Sequence, residues 1–393
     1  MHIALYSPSW PPERSPNGIV TYVSHMRREL EDQGHRVTVI HAGEPNSQSA
    51  DPRAHSARRG LWRRIKNALA ESDPERPVLR FGDLVADTLL LVHRREPING
   101  VEMEETFGWC AQVQQRVPFP VVTKLHGPAF LTKPEGAMSA ALLQKRFAAE
   151  GAALRSMKYI TSPTRSTIDL TSSHYGLDLH AATVIVNPIA DGPPHLHWLS
   201  QNARPDEILF VGRFDRHKGG DFLITAFAQL LRRRPSIRLV FVGPDSGLFD
   251  NDGGRVGINE FMEQALTADQ RKQVAYRGPM PSDQIAPLRC EAAVVVVCSR
   301  WENQPNTVLE ALLQGCPLVA SDAGGMSEIV EHERTGLLFK SEDVTSFCDQ
   351  VLRLLEDREF ATAMGQQGRR RVLHAHSPAT VVSKTVEYYQ AIK

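Results

Sequence analysis

The chain has 393 residues, long for one domain and enough for two separate hydrophobic cores. Its 45 Lys plus Arg balance 45 Asp plus Glu, so no global field draws it to nucleic acid or membrane, and any such attraction has to be local. The five cysteines, Cys110, Cys290, Cys298, Cys316 and Cys348, are odd in number, scattered and without CxxC spacing, which excludes a disulfide or zinc framework and reads as reduced core thiols. MHIALYSPSW enters a strand at once, with no room for a signal peptide, and no apolar stretch approaches the ~20 residues of a bilayer span. A soluble, cytoplasmic protein is expected.

Residues 2–7 read as a strand, 8–17 as a Pro-rich loop, and 18–32 as a helix with Ile19, Tyr22, Val23, Met26 and Leu30 on one face. Gly34 ends that helix before a strand at 36–41. This is a βαβ unit, and its loop PNGIVTYV sets Asn17 and Gly18 at a helix N-terminus, a place for a phosphate or an acceptor hydroxyl. Residues 44–80 are the least regular stretch of the first half. Within them SARRGLWRRIKNALA sets Arg58, Arg59, Arg63, Arg64 and Lys66 against Leu61, Trp62, Ile65 and Leu69. Such a basic amphipathic helix either meets anionic lipid or a phosphorylated acceptor, giving peripheral contact with the inner face of a membrane, or docks as an ordinary surface helix. In NGVEMEETFGW, Glu104 and Glu105 read either as ligands for acceptor hydroxyls or as a surface carboxylate pair. PVVTKLHGP ends a strand over 121–125 in His126 and Gly127. A histidine there can bond a hydroxyl or move a proton, or be a satisfied structural residue.

Between Asn187 and Glu207 proline, glycine and polar residues interrupt the periodicity, marking a domain seam. The opening grammar then returns, with a strand at 207–211, a loop at 212–220, a helix at 221–233 and a strand at 237–242, so an α/β protein of two Rossmann-like domains is expected. The loop VGRFDRHKGGD carries Gly212, Arg213 and Lys218. Two cations beside a helix N-terminus suit a diphosphate, because they stabilise charge growing on a leaving phosphate. DNDGG holds Asp250 and Asp252 in a glycine-rich turn, read as surface and not as a divalent-cation motif. The pairs His195/His197 and His374/His376 lack a third ligand at zinc spacing, so no metal site is expected. Residues 343–393 read as wholly helical, with a break at Ser377 and Pro378.

The most informative stretch is CSRWENQPNTVLEALLQGCPLVASDAGG. A β-branched run at 293–298 reads as a buried parallel strand and 306–314 as a helix. Glu302 and Glu310 thus bracket a helix N-terminus, whose free N–H groups and positive dipole end favour phosphate. The rise of a helix puts these acids roughly 8–12 Å apart, about the span of a nucleoside diphosphate sugar. Each carboxylate can accept from paired hydroxyls.

Together these stretches resemble the retaining glycosyltransferases of the GT-B fold, family 4, in the family's order: PNGIVTYV, KLHGP, SPTRST, NPIAD, VGRFDRHKGG, YRGPM, the Glu-x7-Glu stretch, VASDAGGMSEIV and GLLF. The resemblance implies two Rossmann-like domains facing across a cleft. Residues 1–198 would form an acceptor domain, with residues 377–393 as a C-terminal helix crossing back to it, and residues 199–376 a nucleotide-sugar donor domain. It also implies Arg213 and Lys218 on the diphosphate, Glu302 on sugar hydroxyls, Gln304, Pro305, Asn306 and Thr307 along the sugar and phosphates by their backbone, and Glu310 on the ribose. Gly18 and Gly212 would lie beside the donor, and His126 would face its sugar. The donor it implies is a UDP- or GDP-sugar, with no cofactor or metal required. Two departures stand out: Asn17 replaces the first glycine of a common pair, and the run from Glu302 to Asn306 replaces a Phe-Gly version. A nucleotide-sugar epimerase, a phosphorylase or a non-catalytic nucleotide-sugar-binding regulator could use the same architecture. Nucleotide release that depends on an added acceptor separates transfer from these.

Overall fold

The computed structural model describes residues 1–12, 17–41, 44–46, 80–132, 139–190, 192, 196–249 and 254–392. The basic segment 58–66, Asp250, Asp252 and His195 lie outside them. The chain forms two compact units, Met1–Pro188 with Pro378–Lys393, and Ile189–Ser377.

The first unit is built on a seven-stranded sheet in the order β3-β2-β1-β4-β5-β6-β7. Its strands are β1 (His2–Ser7), β2 (Arg36–His41), β3 (Glu44–Asn46), β4 (Gly100–Glu104), β5 (Val121–Lys124), β6 (Tyr159–Ser162) and β7 (Thr183–Val184). All pairs are parallel except β2 with β3, at the edge. Parallel strands need crossovers that cover both faces of the sheet. The Gly18–Asp32 helix supplies one by burying Val20, Tyr22, Val23, Met26 and Leu30, each such burial contributing about 1.5–3 kcal/mol. The C-terminal Pro378–Ala391 helix joins the same layer, with Val381, Val382 and Tyr389 packed among Ile3, Leu5 and Met26.

The second unit has a six-stranded, all-parallel sheet in the order β12-β9-β8-β13-β14-β15. These strands are β8 (Arg204–Val211), β9 (Arg238–Val242), β12 (Val274–Tyr276), β13 (Ala292–Val297), β14 (Leu318–Asp322) and β15 (Leu337–Lys340), while β10 (Leu248–Phe249) and β11 (Arg255–Val256) form a separate antiparallel ribbon. Strand β8 starts three residues before the expected position because Arg204 reaches the partner strand at Ala292, ahead of a register shift. The helical tail is broken at Asp357 as well as at 377–378. Asp357 ends the Val344–Glu356 helix and caps the Arg358–Ala375 helix by accepting from Phe360 N at 2.9 Å. A short acidic side chain can close one helix and open the next in this way.

Candidate functional site

Strand order reverses between β8 and β13 in the second unit, and in an open parallel sheet ligands gather at the carboxyl ends of the strands at such a reversal. The two loops leaving these strands carry the motif residues. After β8, Asp215 organises the turn: its Oδ1 accepts from Lys218 N at 2.7 Å and its Oδ2 from Arg213 Nε at 2.6 Å. The Arg213 side chain remains half exposed. Gly219 is left-handed, with φ 71°, and a Cβ there would stand 2.0 Å from the Cys298 carbonyl oxygen, so only glycine lets the loop lie on the end of β13. The Gly220–Arg233 helix that follows has no side-chain cap.

Arg300 ties the two loops together. Its backbone N–H donates to His217 O at 2.9 Å, its guanidinium grips Asp221 at 2.8 and 3.0 Å and Glu342 at 2.9 Å, and it also donates to Arg216 O. Beyond it Glu302 is buried and paired with Lys218 Nζ. Burial disfavours the charged carboxylate, but Lys218 and His217 outweigh burial and hold Glu302 below the ordinary carboxyl value. Behind it, Gly325 N donates to Glu302 O at 2.8 Å, and a Cβ on Gly324 would meet that oxygen at 2.1 Å. The glycine pair of VASDAGGM is therefore the backing of the Glu302 turn.

The Asn306–Gln314 helix starts after Pro305 with no side-chain cap, so the N–H groups of Asn306 and Thr307 have no partner within the helix. Gln304 and Pro305 are buried just before it. Farther along, Glu310 pairs with the guanidinium of the buried Arg289, whose other arm reaches Gln314 Oε1 at 3.5 Å. Burial raises the Glu310 carboxyl pKa and Arg289 opposes that rise.

In the first unit the strand order reverses between β1 and β4. Gly18 opens the helix after β1, and Asn17 caps it by accepting from Ile19 N at 2.8 Å, so its side-chain oxygen is committed to the helix. Glu104 and Glu105 at the end of β4 are both buried, at 9% and 2% exposure, which corrects the reading as a surface pair. Burial and the neighbouring carboxylates push Glu105 up to about 8, and burial pushes Glu104 up to about 7. Glu105 spends both oxygens on backbone: Oε2 accepts from His126 N at 3.0 Å and Oε1 from Gly127 N at 2.8 Å. Burial, then Lys124, depress His126 to about 3, so its imidazole is neutral near pH 7. The edge of the Tyr22 ring stands against it, centroids 5.0 Å apart.

Sequence reasoning did not single out Asp215, Asp221, Arg289, Arg300, Lys124 or Glu150. Lys124 did leave a signal, since a charge inside the apolar run VVTKL marks a buried paired group. It is 1% exposed and donates to Ile185 O at 2.9 Å. Glu150, an isolated acid in a helix, left none. Among the described residues no three His, Cys, Asp or Glu side chains are gathered to hold a metal ion, and no helix is long and apolar enough to cross a membrane.

Two family models match the chain, one described as Glycosyltransferase Family 4 over residues 16–191 and one as Glycosyl transferases group 1 over residues 199–371. The glycogen synthase of Mycobacterium tuberculosis (strain ATCC 25618 / H37Rv) is 24% identical over 411 residues, covering 100% of this chain and 95% of that protein. A D-inositol 3-phosphate glycosyltransferase of Paenarthrobacter aurescens (strain TC1) is 32% identical over 228 residues, 56% of this chain and 53% of that protein. Among solved structures, a sucrose-phosphate synthase from Thermosynechococcus elongatus superposes with a TM-score of 0.73 at 21% identity, over 99% of this chain and 98% of that one. Anabaena HepE in complex with UDP-glucose does so with a TM-score of 0.68 at 17% identity, over 100% of both chains. These structures share the fold.

Proposed function

The chain belongs to family 4 of the glycosyltransferases, enzymes that draw on nucleotide sugars, and from that premise we propose that it moves a sugar from a UDP-sugar to an acceptor hydroxyl with retention of configuration. The observation that carries the proposal is the convergence, at the β8/β13 reversal, of two uncapped helix N-termini with Arg213, Lys218 and Glu302. Such a place attracts a diphosphate by dipole, by free N–H groups and by fixed cations. In this reading the second unit is the donor domain. The phosphates lie against the N–H groups of Asn306 and Thr307, and Arg213 and Lys218 supply there the positive charge a divalent ion would otherwise give.

Lys218 sits between Glu302 and the phosphates, so one ammonium orders both a sugar-binding carboxylate and the leaving group. Glu302 accepts from sugar hydroxyls. Glu310 receives the ribose hydroxyls on the oxygen that Arg289 leaves open. As the bond from the anomeric carbon to the phosphate oxygen breaks, the negative charge passes to the diphosphate beside Arg213 and Lys218. The acceptor oxygen bonds to the same face of the sugar while a phosphate oxygen takes its proton, which preserves the configuration. The first unit takes the acceptor, a hydroxyl of an envelope glycan, lipid-linked glycan or small metabolite, and His126 presents a neutral imidazole to substrate. The N-terminus of the Gly18–Asp32 helix and the acids Glu104 and Glu105 lie at that unit's own strand reversal.

UDP is favoured over GDP because the HepE structure of like fold holds UDP-glucose. A thermal-shift screen of UDP-, GDP-, ADP- and dTDP-sugars tests the donor, since a ligand that binds only the folded state raises its melting temperature. Nucleotide release that rises on adding an acceptor, and persists with chelator, supports the full reading. Isomerised donor without acceptor would show an epimerase instead, and tight donor binding without turnover on any acceptor a regulator.

A further inference from the structure

We propose that Glu105 and Glu150 are positioning residues for transfer: they hold residues 126–129 by the backbone and so fix where the imidazole of His126 stands. The inference rests on the reading of His126 as a substrate-contacting group. Every N–H of this segment ends on a buried carboxylate. His126 N and Gly127 N donate to the two oxygens of Glu105 at 3.0 and 2.8 Å, Pro128 has no N–H, and Ala129 N donates to Glu150 Oε2 at 3.0 Å. Successive N–H groups turned to one side make an anion-binding concavity. Here the chain fills it with its own acids, which removes the backbone as a ligand site.

The two carboxylates are themselves fixed. Glu150 is 0% exposed and accepts from Arg146 Nε at 2.6 Å. Glu105 leaves the end of β4 through a turn in which Phe107 and Gly108 both have positive φ, 51° and 66°, and a Cβ on Gly108 would stand 2.5 Å from Ala149 O. A non-glycine residue held left-handed is costly and persists where the surroundings over-determine it. Phe107 is locked by stacking on Trp109, with centroids 5.6 Å apart, and by Arg146 lying 5.5 Å over its ring. Arg146 thus secures both the turn that delivers Glu105 and the acid that holds Ala129. Burying these acids is expensive, and each oxygen that accepts from a backbone N–H offsets part of that cost. The arrangement suits a loop whose position must not drift.

The test is a double-mutant cycle in the full chain with Glu105→Gln and His126→Asn, read by steady-state kinetics and by amide hydrogen exchange of the peptide carrying residues 121–130. Glu105→Gln replaces one acceptor by an NH2 group facing an N–H. Expected are a kcat lower by about ten- to a hundredfold, as misplacement of a reacting group produces, a donor KM within about twofold, and faster exchange at His126 and Gly127. In the His126→Asn background the same change costs almost nothing, because the group it positions is gone. An equal loss in both backgrounds, or unchanged exchange, overturns the positioning role. A fully active His126→Asn enzyme overturns the assignment of His126 itself and the positioning role with it. An impaired His126→Asn enzyme beside a full-speed Glu105→Gln enzyme overturns the positioning role alone. Should Glu105→Gln fail to fold, Glu105→Asp, which keeps charge and both oxygens on a shorter arm, gives the same readouts.

Discussion

Removing Lys218 tests structure and chemistry at once. The Lys218 and Glu302 side chains are 24% and 10% exposed and form an ion pair, so Lys218→Ala strands a buried carboxylate. Breaking a buried pair from one side costs about 3–5 kcal/mol, which for a unit of this size lowers the melting temperature by about 6–20 °C. Glu302 can escape part of that cost by taking a proton, since burial without Lys218 raises its pKa. The variant is therefore expected to lose less stability near pH 5 than near pH 8. Lys218→Met with Glu302→Gln removes both charges and should recover most of the lost stability. It should not recover activity, because the growing charge on the leaving phosphate still lacks its cation, a loss of about 10²–10³ in kcat. Thermal melts at several pH values and steady-state kinetics on the two single variants and the double variant are the assay. A Lys218→Ala protein that melts with the wild type at pH 8 would refute the structural half, and a double variant with normal turnover the chemical half.

Arg213→Ala should separate the two effects differently. Its partner Asp215 is close but Arg213 itself is 51% exposed, so stability should change by less than about 1 kcal/mol while kcat falls by orders of magnitude. Equal turnover would remove Arg213 from the phosphate site. Glu310→Gln should weaken donor affinity more than Arg213→Ala does, measured by calorimetry, and also lower the melting temperature, because Arg289, 3% exposed, is left without its anion. Unchanged affinity would detach Glu310 from the ribose. Stability should fall as pH rises between about 5 and 8. Glu104 and Glu105 are raised to about 7 and about 8, so through that window the folded chain holds more protons than the unfolded one, and folding weakens as they leave. The negative charge of Glu150 opposes the loss of both protons, and Arg146 favours the loss of the Glu104 proton. Melts at pH 5.5 and 8.5 check the sign, and Glu105→Gln should flatten the slope.

The sequence alone determined a great deal in the second unit. Apolar runs between glycine-rich loops set the strand and helix positions, and the Asn306–Gln314 helix begins and ends where periodicity and glycine placed it. Local rules suffice there because each loop carries its own chemistry: Arg213 and Lys218 follow one strand, Glu302 and Glu310 bracket one helix. Which acid meets which cation is not local. Lys218 and Glu302 are 84 positions apart and Asp221 and Arg300 are 79 apart, and only the adjacency of β8 and β13 in the sheet brings them together.

The same holds more strongly in the first unit. Glu104 and Glu105 look like any exposed acidic pair in the sequence, because nothing in EMEETFGW announces that Phe107 and Gly108 turn left-handed and that Glu105 reaches the loop after the neighbouring strand. Glu150 arrives from a helix 21 residues beyond the backbone N–H it holds. Periodicity reports which face of an element is buried. It does not report the sheet order that decides which loops become neighbours, and that order turned two unremarkable glutamates into the support of His126.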